Sequence, residues 1–419
     1  MMVASTDIKY YLFTNTGAPQ LSNNFGCMID LLDACLINGF GSQAVSSLVA
    51  SGTTITASYP TAHNYSAYQV VEFSGANQTE FNVRVRILSV PNPNSITFQL
   101  AAVPSTNTAT GTISCSLPPI GWLKPFSATG KAAYRSANTL LASRPYLRVF
   151  DALDAAYTST YAKYAKVGIV EDMTDIDTML GVQAPYDSAS PDKNWVGTGS
   201  GTTGINGWAR WYYAANGSVS GGLINSQTPA AGNRQWILIG NSDYFYILPT
   251  STVPSATVNT QHASAYGFGA FKSLLNADNS CTFLQSHLTL SNNGASVNVN
   301  FGLVSSSASS SLLLLRGYAQ SANYKTANCL SLSSDTAGSG VNNVIGASTL
   351  TNTAPFAPVF IKEDTTNVLR GQIKNLFWLF QQKPYSNFQL IEKDGALYIA
   401  AFIASTSNLG QIVLKIGDL

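Results

Sequence analysis

Short segments of alternating apolar and polar residues, each ending at turn-forming residues, run through most of this chain. In the clearest one, residues 81–87, every second residue is apolar. A period of two puts alternate side chains on opposite faces of a β-strand, so such a segment forms a strand with one buried face. Segments 235–239 and 244–248, and likewise 390–392 and 397–399, flank Gly-Asn-Ser-Asp and Lys-Asp-Gly connections that predict β-hairpins. We therefore predict a mainly β fold.

Helical spacing of apolar residues is clear in one place, just before an Asn38-Gly39 stop signal. A weaker helical pattern covers residues 151–166. The apolar stripe of the first helix has to be covered by something, and we predict that it docks the chain onto a partner protein. The residues of this predicted docking face are Met28, Leu31, Leu32 and Cys35.

Changes in pattern along the chain divide it into three parts. Residues 1–45 form an N-terminal strand-helix docking segment. Residues 46–120 contain several short strands and end at Pro118-Pro119, which predicts a small antiparallel β-barrel. Residues 121–419 carry many short strands separated by turn clusters, which predicts a larger β-sandwich, with a further division near residue 250 left open.

Charged residues are scarce and balanced. They make up 10% of the 419 residues and give a net charge of +1, whereas aromatic residues make up 11%. The aromatic content argues against disorder, and the lack of basic excess argues against a nucleic-acid partner. Removing amide and hydroxyl groups from water costs less free energy than removing charged groups. We therefore expect some faces of this chain to be buried against copies of the same chain.

The sequence carries no clear motif for a cofactor, a metal site or a membrane span. The five cysteines are dispersed without a C-x-x-C pair, so we expect free thiols, no metal site and no cofactor. The first residues lack the basic and apolar pattern of a signal peptide, and apolar runs are too short to span a bilayer. We expect assembly in a cytoplasm and no membrane insertion.

The densest charge cluster is the acidic run at residues 171–177, Glu-Asp-Met-Thr-Asp-Ile-Asp. Such carboxylates could bind Ca²⁺, or serve as an acid pair for glycoside hydrolysis. The favoured interpretation is structural: the acids cap turns or pair with Lys163, Lys166 or Arg148.

An aromatic block at residues 208–213 is a second candidate. Flat aromatic faces beside polar groups are typical of sugar-binding surfaces, whereas the alternative is a strand with one face in the core. The possible glycan-binding residues are Trp208, Arg210, Trp211 and Tyr212.

Eight segments carry a resemblance to a family. We call them the signature segments: Ile8–Tyr11, Gly17–Ser22, Leu31–Gly41, Gly121–Ser127, Lys131–Ser136, Tyr146–Val149, Glu171–Thr178 and Arg234–Gly240. Through about residue 250 the chain resembles structural proteins of tailed-bacteriophage virions, encoded with tail genes. Residues 62–98 also resemble a small β-barrel module of phage proteins, with Asn64-Tyr65 where that module has a glycine after the histidine.

The resemblance implies a structural virion component without catalytic residues. We expect a tail- or neck-associated fibre, sleeve or appendage subunit, present in several copies and contacting other tail or neck proteins. A fibre module binding host-surface polysaccharide and a head decoration protein are the alternatives. A tailspike-like glycan hydrolase using the acids at 171–177 is the third hypothesis.

Overall fold

The fold is mainly β, as the sequence pattern predicts. The computed structural model describes residues 4–155, 157–159, 162–199, 207–214, 228–250, 252–253, 265–288, 312–330, 356–379, 385–404 and 409–419. Within these ranges the strands form three sheets. In the same ranges we find no helix that is both long and apolar enough to cross a membrane.

The N-terminal part contains one strand, one short helix and the strands of a barrel. The helix continues into a π-helical turn over Asp33–Asn38. The elements are β1 (Lys9–Leu12), α1 (Cys27–Leu32), β2 (Phe40–Ala44), β3 (Ser47–Ser51), β4 (Thr54–Ser58), β5 (Val70–Ala76), β6 (Arg84–Asn92), β7 (Ser95–Gln99) and β8 (Gly111–Leu117).

Strands β2 to β8 close into a small antiparallel barrel. Their pairing order is β2-β8-β5-β6-β7-β4-β3. The two ends of this order meet because β2 runs almost directly into β3. The chain at β2 and β3 forms backbone hydrogen bonds with residues in β8 and just before it. The Val45 amide donates to the Ile113 carbonyl at 2.9 Å, and the Ala109 amide donates to the Leu48 carbonyl at 3.1 Å. Strand β2 lies within the predicted N-terminal segment, so the barrel and that segment are continuous.

The barrel interior is aromatic. Phe73 and Phe98 stack with their ring centroids 4.8 Å apart.

The strand predicted over 81–87 begins only at Arg84, because residues 79–81 form a 3-10 turn that buries Phe81. Asn64 has φ 53°, in the left-handed region that favours glycine and that asparagine tolerates better than most residues.

A second sheet follows the barrel. Its strands are β9 (Trp122–Ala128), β10 (Lys131–Ser136), β11 (Tyr146–Phe150), β12 (Tyr164–Met173), β13 (Met179–Ala184) and β14 (Ala209–Tyr212), joined by the later β20 (His287–Leu288). The helical pattern predicted over 151–166 is wrong. The described residues before Tyr164 are irregular, and β12 begins at Tyr164 because the β-branched residues that follow favour a strand.

The remaining strands form one long sheet with β1 at its edge. They are β15 (Trp236–Gly240), β16 (Tyr244–Pro249), β17 (Tyr266–Ala270), β18 (Lys272–Ser273), β19 (Thr282–Gln285), β21 (Leu312–Leu314), β22 (Lys325–Leu330), β23 (Phe356–Glu363), β24 (Leu369–Leu379), β25 (Leu390–Lys393), β26 (Ala396–Ala404) and β27 (Leu409–Asp418). Both predicted hairpins are confirmed, as β15–β16 and β25–β26.

The second sheet packs face to face on the first strands of the long sheet. Trp122 of β9 meets Phe245 at 5.2 Å, and Trp211 of β14 stacks on Tyr266 at 5.7 Å between ring centroids. Buried apolar residues from Ile8 to Ile416 form one continuous cluster, which includes the barrel interior and α1. The three sheets therefore share a core.

Replacing Phe98 with alanine tests the barrel core. Phe98 is fully buried against Phe73, so we expect Phe98→Ala to lower the free energy of unfolding by about 3–5 kcal/mol. Val103 is 65% exposed, and Val103→Ala should change it by less than about 0.5 kcal/mol. Thermal unfolding of both variants is the measurement; equal melting temperatures would contradict this packing.

Candidate functional site

The predicted docking face lies inside the chain's own core, which corrects the expectation that it binds a partner. Met28, Leu31, Leu32 and Cys35 each have 0% exposed surface. The helical turn is held next to β9, where the Ile120 amide donates to the Cys35 carbonyl at 3.0 Å. The apolar stripe is thus covered by the chain that carries it, and no surface of these four residues remains for another protein.

Asp33 ties this helix to the second sheet. Its carboxylate accepts a hydrogen bond from Lys124 Nζ at 2.6 Å and another from the Tyr134 hydroxyl at 2.8 Å. The lysine lies on β9 and the tyrosine on β10, so one carboxylate joins three signature segments. Burial raises the pKa of the Tyr134 hydroxyl, which therefore stays a proton donor.

Asp151 anchors the other end of the helix. It follows β11 and is 1% exposed. Its carboxylate accepts hydrogen bonds from the Met28 amide at 3.1 Å and the Tyr213 hydroxyl at 2.8 Å. These bonds satisfy a free N–H group at the start of the helix. Burial raises the pKa of Asp151 to about 7.

Carboxylates of the acidic run bind cationic side chains and the backbone amides of a turn. The structural interpretation is therefore confirmed in part. Asp177 accepts hydrogen bonds from Arg148 at 2.8 Å and Lys131 at 2.7 Å. The Lys131 hydrogen bond lowers the pKa of the Asp177 carboxyl. Asp175 accepts from the amides of Asp177 and Thr178 at 2.8 and 2.9 Å, which holds the turn.

Glu171, at the start of the run, reaches the long sheet. It forms an ion pair with Arg316 and accepts from the Val182 amide at 2.8 Å. Arg148 is thus a confirmed partner of the run, whereas Lys166 pairs instead with Asp154 at 2.8 Å. Carboxylates paired in this way favour the ionised form and are poorly suited to act as general acids. Within the described ranges no group of three or more His, Cys, Asp or Glu residues could hold a metal ion.

The aromatic block forms a buried strand instead of an exposed sugar-binding surface. Trp208 is 5% exposed, and Arg210, Trp211 and Tyr212 are 1% exposed or less. Trp211 points into the core between the sheets, and its indole N–H donates to the Gln285 carbonyl at 2.8 Å. Arg210 points to the opposite face, where its guanidinium binds the Gly207 carbonyl. The glycan-binding assignment of these four residues is therefore corrected.

The outer face of the second sheet carries three cations and one aromatic ring in a row that no sequence motif predicted. Lys131, Phe150, Lys166 and Arg210 are register partners on four neighbouring strands, and we call them the cationic row. Lys166 Nζ lies 3.9 Å from the Phe150 ring centroid. Burial lowers the pKa of Lys166 to about 8. Only the strand register brings these residues together, so spacing along the chain carries no signal for them.

A tryptophan covers part of this face. The Trp195 ring lies over Gly168, where an added Cβ would meet it at 2.8 Å, and the Arg148 guanidinium lies 4.4 Å from the ring centroid. The Trp195 carbonyl accepts a hydrogen bond from Lys166. Charges and rings of this face are thus paired with one another.

The other signature segments also contact one another. Ile8–Tyr11 contributes β1, which pairs with β15 of Arg234–Gly240 from Lys9↔Gly240 onward. The Trp236 indole N–H donates to the Pro19 carbonyl at 2.9 Å. The Trp122 indole N–H donates to the Asn241 carbonyl, next to β15, at 2.8 Å. The signature segments therefore form one connected set of contacts, which we call the signature junction.

Comparison with known proteins adds little to this geometry. No family model and no curated protein matches the chain. Among solved structures, it is similar to one described as phage phi92 endosialidase, with 11% identity over 90% of this chain and a TM-score of 0.17. The chain spans about half the length of that structure, 52%. At this TM-score the likeness establishes neither a shared fold nor a shared activity.

Truncating Trp211 tests whether the aromatic block is core. We expect Trp211→Ala to lower the free energy of unfolding by about 3–5 kcal/mol, because the ring is fully buried between the sheets. Leu140 is 91% exposed, and Leu140→Ala serves as the control. Chemical denaturation measures both. A Trp211→Ala variant as stable as the control would contradict the buried placement.

Asp151 predicts a pH dependence of stability. Its pKa in the folded chain, about 7, lies above the ordinary value of 3.8, so the folded state binds this proton more tightly than the unfolded state. The resulting stabilisation is complete below about pH 3.8 and is lost as the pH rises through about 7. Asp151→Asn keeps an acceptor for the Met28 amide but removes the titration.

The measurement is the melting temperature at about pH 5 and about pH 8. We expect the stability gained at the lower pH to be smaller in Asp151→Asn than in the wild type. Asp394→Asn is the matched control, since the Asp394 side chain is 82% exposed. An unchanged pH difference in Asp151→Asn would show that Asp151 does not titrate in this range.

Proposed function

We propose that this protein is a structural component of a tailed-bacteriophage virion, associated with the tail or neck and present in several copies. The observation that carries the proposal is the signature junction. The segments that resemble the virion family meet in space, and their polar residues bind one another. Residues that carry a resemblance to a structural family are expected to make contacts within the fold, and these residues make such contacts.

Residues of the signature segments also connect the three sheets to one another. Asp33 links the helix to the second sheet, and Glu171 links the second sheet to the long sheet through Arg316. Tyr11, on the edge strand of the long sheet, donates its hydroxyl to the carbonyl of Pro118, which follows the last barrel strand. Contacts between all three sheets favour a single folded body, which suits a structural subunit of a particle.

The low charge content of the chain supports the proposal that several copies associate. With a net charge of +1 and 10% charged residues, the chain has little electrostatic repulsion to keep copies apart. Several of its charged groups are paired within the fold, as Asp33, Asp151, Lys166 and Arg148 illustrate.

Antibody labelling of intact phage particles tests this proposal. We expect gold-conjugated antibody against the purified chain to mark the tail or neck in negative-stain electron micrographs, and peptides of the chain to appear in purified particles by mass spectrometry. Antibody absorbed with the purified chain is the control. Label on the head surface would replace the tail assignment with a head decoration, and absence from purified particles would overturn the structural proposal.

A further inference from the structure

A cluster of aromatic residues lies on the outer face of the last strands, away from the shared core. It surrounds the small buried residues Ala400 and Val413, which belong to a cluster separate from the main one. Four aromatic side chains and one aliphatic side chain line it, and all five are partly exposed. We call this surface the aromatic patch: Phe356, Phe377, Tyr385, Ile391 and Tyr398.

The four rings form one continuous group of contacts. Tyr398 lies 5.0 Å from Phe356 and 5.8 Å from Phe377 between ring centroids, in edge-to-face geometry. Tyr385 lies 6.3 Å from Phe356. Strands β23, β24 and β26 carry three of the four rings, and β27 pairs with both β24 and β26, so these strands belong to one hydrogen-bonded sheet.

Charged hydrogen-bonding groups stand at the rim. Lys393 Nζ lies 5.8 Å from the Phe356 ring centroid and pairs with Asp394 at 3.2 Å. Lys415 is the register partner of Tyr398 and pairs with Asp418 at 2.6 Å. Two cations and two carboxylates give these four residues no net charge, so an uncharged ligand complements the rim better than an acidic one.

The size of the patch argues against a stable protein interface. An aromatic side chain has about 200 Å² of surface, and each ring here is mostly covered, so four rings expose less than about 300 Å² together. A stable protein interface buries about 800 Å² on each partner. A short sugar segment needs far less area, and its C–H faces pack on aromatic rings while its hydroxyls reach polar groups at the edge.

We propose that the aromatic patch binds uncharged sugar units of a polysaccharide. Phe356 and Tyr398 supply the stacking surface, and Lys393, Asp394, Lys415 and Asp418 supply hydrogen bonds to sugar hydroxyls. This site is separate from the signature junction and from the buried aromatic block. Its test uses the purified chain, so it is independent of where the protein lies in a particle.

The experiment applies the full chain to an array printed with neutral and acidic bacterial surface polysaccharides. We expect binding to one or more neutral polysaccharides, and a loss of apparent affinity of at least about tenfold in the double variant Phe356→Ala with Tyr398→Ala. Tyr398→Phe keeps the ring and should stay within about threefold of the wild type. Tyr318 is 48% exposed outside the patch, and Tyr318→Ala is the matched control.

Melting temperatures and molar mass by light scattering accompany the binding data. If no neutral polysaccharide binds, if only acidic ones bind, or if a folded double variant binds like the wild type, the proposal is overturned. A double variant that changes the oligomeric state would show that the patch contacts a second copy, which also overturns it. Should the double variant unfold, Tyr398→Ala alone is compared with Tyr318→Ala by the same criteria.

Discussion

Burial of the short helix α1 is the constraint on which the rest of the structure depends. A helix of six residues has little stability of its own and needs partners for its free backbone groups. Here the partners come from distant parts of the chain. Asp151 binds the amide of Met28, and Asp33 binds Lys124 and Tyr134. The helix therefore exists because the second sheet lies against it, and the sheet is positioned by the same bonds.

The buried charged residues also depend on partners from other parts of the chain. This chain has few charged residues, and several of them are buried. An unpaired ion in a buried position would be strongly destabilising. Lys166 with Asp154, and Arg148 with Asp177, are pairs that meet this requirement. Carboxylates in the acidic run are thereby committed to holding turns and sheets together. The fold thus agrees with the structural interpretation of the run, which the sequence pattern favoured over a metal or acid-base site.

Local signals predicted much of the fold. Alternation and turn residues predicted both hairpins, and the barrel closes in the region where short strands were expected. The failures have physical causes. The helical pattern over 151–166 was outweighed by the β-branched residues of β12, and Asp151 caps a different helix. The cationic row was unpredictable because register, not spacing, assembles it.

The sequence by itself determined the mainly β class, the position of the helix and which side chains share a face of each strand. Only the tertiary structure decided which faces are covered. Trp211 and Tyr398 both lie on aromatic strands, yet Trp211 is enclosed between two sheets and Tyr398 is partly exposed beside charged residues. The physical reason is that alternation follows from backbone geometry, whereas burial depends on which sheet packs against that face.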